Sequence, residues 1–330
     1  MERAADRRCA APVRVTVLVP SYRRPDMLIR CLDGVLAGRR RPGQIVVVLR
    51  DTDTESQEAI AAWRARRGRS AAVVDVTLVD EPGPMAAANK GLTVARGDIV
   101  CFLDDDCVPT EQWLDRLLAH YADQTVIGVG GRDIVHHGDA ISAQPQPVVG
   151  RITWYGRIIG NHHQPGFSEP VEVDHLKGAN MSFRRAVIPT YDLNLRSGVY
   201  HEVDVAFGAR ANGGRIVYDP SAIVHHYPAP RWYGHARDCD DLQAVADLAH
   251  DQAYVMLKHL PPLRRAGFWL FAVTVGQHYR YGLLRMLVRL PTERLLAIRR
   301  WRAAMRGLAD ARVTLRRASR HEGTERPRGV

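Results

Sequence analysis

The sequence predicts an α/β fold, a doubly wound and mostly parallel sheet with a helical extension behind it. Two observations carry the prediction. Apolar strand-like runs alternate with helix-spaced apolar residues over the first 120 residues, and the pattern turns helical and then basic from about Arg231. A chain of 330 residues has room for one large α/β domain plus an appendage. The expected divisions are a tail at 1–12, an α/β body at 13–228, a helical basic region at 229–315 and a disordered tail at 316–330.

VRVTVLVPSY (13–22) reads as a buried strand. After Pro25 the apolar set Leu28, Cys31, Leu32, Val35 and Leu36 keeps helical spacing and stops at Gly38. QIVVVL (44–49) is the second strand, and Thr54 with Gln57 forms a capping-box start for the helix carrying Ile60 and Trp63. AAVVDVTLV (71–79) is the third strand, a helix follows from about Pro84 to Ala95, and IVCFLD (99–104) is the fourth strand. Beyond it VIGVGGRDIVHH (126–137), VEVDHLKGANMSFRR (171–185) and RIVYDPSAIVHH (215–226) read as strands. Residues 138–170 form a long loop, and a short acidic helix runs from near Glu202 to Gly213.

The net charge of +10 is unevenly placed. From Lys258 onward there are 17 Lys and Arg against 4 Asp and Glu, so the preceding residues carry a balance of −3. The body therefore offers no basic surface of the kind nucleic acid requires. Five cysteines, an odd number without a CxxC, argue against a disulfide framework and for a reducing compartment. The start, MERAADRRCAAPV, lacks the apolar core of a signal peptide, so export is not expected. Three His-His pairs (136–137, 162–163, 225–226) make poor zinc clamps, because neighbours on a strand point to opposite faces.

The triplet Asp104, Asp105 and Asp106 closes the fourth strand, where sheets of this kind bind ligands. A strand-end aspartate often caps the next helix, but Thr110 after Pro109 is a candidate for that task. Three adjacent carboxylates repel one another unless a cation joins them. Magnesium or manganese carried on a diphosphate supplies that charge and prefers a few carboxylate oxygens.

At this point the chain resembles the inverting glycosyltransferases of family 2, which have the GT-A fold. The resemblance spans roughly residues 13–228 and rests on ordered segments: VTVLVPSYRRPDML, VVVLRDTDTES, GPMAAANKGLTVARGDIVCFLDDD, LKGANMSFRR and HEVDVAFGARANGGRIVYDPSAIVHH. It implies that Pro20, Ser21 and Tyr22 line a nucleotide site, that Asp51 or Asp53 contacts the base, and that Lys90 lies near the diphosphate. Asp104 or Asp105 then faces the ribose, Asp106 holds the metal, and His226 is a further metal ligand. Glu202 is the implied catalytic base, standing where the family more often has Asp, with His201 in place of the preceding acid and Asp204 two residues on. Gly178 and Asn180 are expected between donor and acceptor, and Trp154 or Tyr155 is a candidate for stacking on a sugar.

The implied partners are a UDP-, dTDP- or GDP-linked sugar and a lipid-linked or polysaccharide acceptor, with Mn²⁺ or Mg²⁺ as cofactor. A cytoplasmic place at the inner face of the cell membrane is expected. AGFWLFAVTVGQHY (266–279) has no Lys, Arg, Asp or Glu, is too short to span a bilayer, and is followed by arginines at 280, 285 and 289. Packing of that segment on the body is the alternative. A sugar nucleotidyltransferase competes on fold, but PSYRRPDM lacks the Gly-rich loop of that class. A non-catalytic sugar-nucleotide binder would keep binding after loss of Glu202.

Overall fold

The computed structural model describes residues 13–137, 140–141, 144–229, 241–278 and 280–325. The expected tail at 1–12 lies outside them. The first half alternates as the sequence predicts: β1 (Val15–Ser21), α1 (Pro25–Ala37), β2 (Gln44–Arg50), α2 (Thr54–Arg67), β3 (Val74–Val79), α3 (Pro84–Val94) and β4 (Ile99–Leu103). All five apolar residues assigned to the inner face of α1 are buried. β2 is buried on both faces over six residues, as a parallel strand covered by helices on each side must be.

The second half is more irregular. β5 (Cys107–Pro109), α4 (Trp113–Ala119) and the long β6 (Val126–His137) follow. Two-residue strands β7 (Ala140–Ile141), β8 (Arg151–Ile152) and β9 (Ile158–Ile159) interrupt the expected loop. The stretch read as one strand at 171–185 divides into β10 (Val171–Val173) and β11 (Asn180–Arg184), and then α5 (His201–Ala209) and β12 (Arg215–His226) complete the body. In space the strands run β10-β12-β6-β11-β4-β1-β2-β3. β1, β2, β3 and β4 pair in parallel, while β11 is antiparallel to both β4 and β6.

Between Asp219 and Ile223 the β6–β12 register shifts. A side chain at Gly131 would put its Cβ 1.8 Å from the Ala222 carbonyl oxygen, so only glycine lets the bulge close there. The bulge re-aims the end of β12 toward β4.

The expected capping box does not form. Asp53 is the N-cap of α2 and accepts from the Ser56 N–H, while Thr54 already lies in the first turn. Thr110 does not cap α4 either. Its hydroxyl and N–H both donate to the Ile223 carbonyl, tying β5 to the bulge.

The C-terminal helices are α6 (Leu242–His259), α7 (Pro262–Thr274), α8 (Leu283–Glu293) and α9 (Leu295–Glu325), with a hairpin β13 (Gly276–Gln277)–β14 (Arg280–Tyr281) before α8. The apolar run 266–279 is thus split between a helix and a hairpin. The stretch from 316, expected to be disordered, continues α9 through Glu325. Tyr254, Val255, Met256 and Leu308 share one core with Leu18, Val48 and Phe102 of the sheet. Helices α1, α2 and α4 cover the other face.

Candidate active site at the strand ends

The ends of β1, β4 and β12 and the start of α5 bring most of the expected residues together. Asp105 is buried and turned inward, accepting from Ser21 Oγ at 2.7 Å and Arg24 Nη1 at 2.8 Å. Burial raises its carboxyl to about 6 against the pull of Arg24 and Ser21. Both oxygens being committed, Asp105 links β1 to β4 and does not face a ribose, and Ser21 is spent on the same contact. Solvent reaches Asp104 instead. Surrounding protein and the Asp106 charge push the Asp104 carboxyl up, and His226, His201 and Lys177 oppose them.

Asp106 is buried beside His226 Nε2 at 3.4 Å and accepts from the Ala229 N–H at 3.1 Å. Arg24 Nη1 lies 3.6 Å from its other side. Burial works against the Asp106 charge, but His226, the Ala229 N–H and Arg24 outweigh it and hold the carboxyl below its usual value. On the far side, His226 Nδ1 lies 3.3 Å from Asp133, whose side chain is fully buried and also receives the Lys177 ammonium. Burial lowers the His226 pKa, yet the paired aspartates raise it to about 9. His225 points the other way, to His136 at 3.0 Å, as strand alternation requires.

Ligand atoms of Asp106, Cys107 and His226 lie within 4.8 Å of one another. Burial and the charges of Asp104 and Asp106 push the Cys107 thiol well above its ordinary range, and a soft sulfur suits neither Mn²⁺ nor Mg²⁺. What remains is a carboxylate and an imidazole, a set that suits Mn²⁺ or Mg²⁺ completed by phosphate oxygens. Asp133 would orient the imidazole behind such a site, since accepting from the His226 Nδ1–H leaves Nε2 for the ion. Its buried Oδ1 has no hydrogen-bond partner among the described residues.

Glu202 opens α5. His201 Nδ1 is 3.3 Å from Glu202 Oε2, but it also lies 3.1 Å from the Gly198 carbonyl, which can only accept. The imidazole proton therefore points to Gly198, and buried Oε2 has no hydrogen-bond partner among the described residues. Gly178 backs this corner, because a Cβ there would sit 3.3 Å from His201 Nε2.

Other expected residues have different work. Asn180 is fully buried, accepting from Trp113 Nε1 and donating to the Ala222 and Arg132 carbonyls, so it braces the bulge rather than a substrate. Asp204 is buried and paired with Lys258 and His259 of α6, which removes it from the pocket. Trp154 lies against Gly267 of α7, and among the described residues no bond joins it to the carboxylates. Tyr155 packs on Phe271 at 4.7 Å. Asp53 spends both oxygens on the α2 cap and the Arg23 N–H, whereas Asp51 is exposed. Pro20 ends β1 opposite Val48, Tyr22 lies beneath the Arg23 guanidinium, and Lys90 is exposed on α3.

Four residues were missed: Arg24, Asp133, Lys177 and Tyr191. The legible signal was a charge inside an otherwise apolar strand, as in GRDIV, because such a group is rarely buried unpaired. Tyr191 gave no such signal. Its backbone is clamped by Asn89, its ring meets Phe102 edge-on at 5.7 Å, and its buried hydroxyl has no partner among the described residues. Burial, then the charges of Glu202 and Asp104, push that hydroxyl well above its ordinary value.

The sequence profile of "Glycosyl transferase family 2" matches residues 16–191. The chain is 29% identical over 159 residues to the pre-mycofactocin glycosyltransferase of Mycobacterium tuberculosis, covering 46% of this chain and 32% of that protein. It thus spans about a third of that relative. It is 26% identical over 319 residues to the glucosyl-dolichyl phosphate glucuronosyltransferase of Haloferax volcanii, covering 82% of this chain and 96% of that one. A crystal structure of GalNAc-T7 with UDP, GalNAc and Mn²⁺ superposes with a TM-score of 0.53 at 16% identity, covering 77% of this chain and 51% of that one. The chain is a member of glycosyl transferase family 2 with the GT-A fold.

Proposed function

We propose that the protein transfers a sugar from a nucleotide diphosphate to a hydroxyl of a lipid-linked or polysaccharide acceptor, with inversion. The observation that carries this reading is the buried Glu202 Oε2 at the start of α5, which has no partner among the described residues, together with the Asp106–His226 pair at the strand ends. Glu202 takes the proton of the acceptor hydroxyl as that oxygen bonds to the anomeric carbon. The bond from that carbon to the diphosphate oxygen breaks on the opposite face, and the nucleotide diphosphate leaves. A base in this position contributes about 10²–10⁴-fold. Asp106 and His226 would hold the divalent ion, which when bound offsets charge on the diphosphate. Asp104 faces the ribose, exposed Asp51 the base, and Lys90 the diphosphate, while Tyr191 donates to a substrate oxygen.

The name of the Haloferax relative, which cites a dolichyl phosphate sugar, supports a lipid-linked acceptor and a place at the inner membrane face. The Mn²⁺ in the GalNAc-T7 structure supports the metal. Screening UDP-, dTDP- and GDP-sugars for thermal stabilisation and turnover, with Mn²⁺ or with EDTA, tests the reading. One donor is expected to stabilise only with metal, and Asp106→Ala is expected to lose metal-dependent turnover. Full activity of that variant, or in EDTA, would sink the metal assignment.

A further inference from the structure

No helix among the described residues is long and apolar enough to cross a membrane. Helices α7 and α8 nevertheless leave large apolar side chains in water. Leu263 and Leu270 on α7 are exposed, as are Leu284, Leu287 and Val288 on α8, with Val288 at 75%. Leu295 continues the exposure at the start of α9. On α8 the exposed apolar residues Leu283, Leu284, Leu287, Val288 and Leu290 fall within an arc of roughly 160° at 100° per residue, and buried Met286 lies outside it. Scattered apolar residues are ordinary on a surface, but consecutive turns of two adjoining helices are not.

The charge around this surface is one-sided. From Gln252 to Thr292 there is no Asp or Glu, and Glu293 is engaged by Arg300 and Tyr281. Arg294, just before exposed Leu295, and Arg299, one turn beyond it, are both exposed, while Arg289 is exposed on the opposite side of α8. A two-fold contact between copies would set Arg294 and Arg299 near their own counterparts without an acid to relieve them. An anionic bilayer meets both requirements, taking the leucines below its headgroups and the guanidiniums among its phosphates.

We propose that the α7–α8 face docks flat on an anionic lipid surface, Leu284, Leu287 and Val288 entering the interface and the flanking arginines holding the headgroups. The anchor stands next to the body, because Arg264 of α7 donates to the Thr153 and Trp154 carbonyls.

Truncation at Lys258 would strip Phe268 and Leu308 from the shared core, so surface substitutions are the proper test. The full chain is co-sedimented with phosphatidylcholine vesicles and with an equimolar phosphatidylcholine–phosphatidylglycerol mixture. Wild type is expected to bind the anionic vesicles and to release as salt is added. Leu284→Ser, Leu287→Ser and Val288→Ser together should lower the partition coefficient at least about tenfold at unchanged Tm. Arg294→Glu with Arg299→Glu should lower it about tenfold on anionic vesicles alone. Equal binding by the triple variant, or no binding by wild type, overturns the proposal. So does a wild-type dimer in lipid-free buffer that the triple variant converts to monomer, which would make the face a contact between copies. Binding is read without turnover, so the result stands apart from the glycosyl-transfer reading.

Discussion

Two clusters of acids and bases sit on either side of α5. At the strand ends, Asp104, Asp106, Asp133, Lys177 and His226 gather around β4 and β12. Behind α5, Asp192 and Asp204 meet Tyr254, Lys258 and His259, and Asp251 of α6 holds Arg196 and Ser197. The residue types are nearly the same, but the second cluster is closed. Asp251 is fully buried and accepts from the Arg196 and Ser197 N–H groups, the Ser197 hydroxyl and His250. The first keeps a solvent-reached Asp104, and Asp133 Oδ1, Glu202 Oε2 and the Tyr191 hydroxyl have no hydrogen-bond partner among the described residues. A buried polar group without a partner costs free energy unless a ligand completes it, so the open cluster reads as the site and the closed one as its scaffold. The scaffold is near at hand, since it grips residues 192–204, the segment that carries Glu202.

The contrast is sharpest at Glu202. Glu202→Gln keeps the shape but cannot take a proton, and kcat is expected to fall by about 10²–10⁴-fold. Donor-induced thermal stabilisation should persist, and an unchanged kcat would remove Glu202 from the chemistry. Next in size is the scaffold. Asp251→Ala leaves several buried donors unpaired and is expected to cost about 3 kcal/mol, read as a lower urea midpoint, with turnover falling too because the 196–202 segment loosens. Loss of stability at full kcat per folded molecule would separate the two clusters.

Tyr191→Phe is the smallest test. It deletes a hydroxyl that has no partner among the described residues, so stability should hold within about 1 kcal/mol while KM for donor or acceptor rises up to about tenfold. If KM and kcat both stay at wild-type values, the hydroxyl touches no substrate.

Much of the site was legible because its chemistry is local. The triplet at the end of β4, His226 rather than His225, and Glu202 at a helix start follow from alternation, charge and ordered segments in the chain. Asp133 was not legible as the partner of His226, 93 residues away, nor Lys177 as the partner of Asp133, 44 residues away. Asn180 and Asp204 were misread for the same reason. A polar residue in a matching segment has the same appearance whether it faces a ligand or a buried partner, and their partners lie on β12, α4 and α6.

The sequence by itself determined the parallel half of the sheet, the helix faces, the strand-end placement of the aspartates and the separation of charge between body and tail. Each depends on periodicity or on neighbours along the chain. Only the tertiary structure decided that Asp105 turns inward while Asp104 faces solvent, that Asp53 caps a helix and leaves Asp51 exposed, and that α6 joins the core beneath α5. Those outcomes depend on which donor reaches which oxygen, and the donors are brought there by packing between segments far apart in the chain.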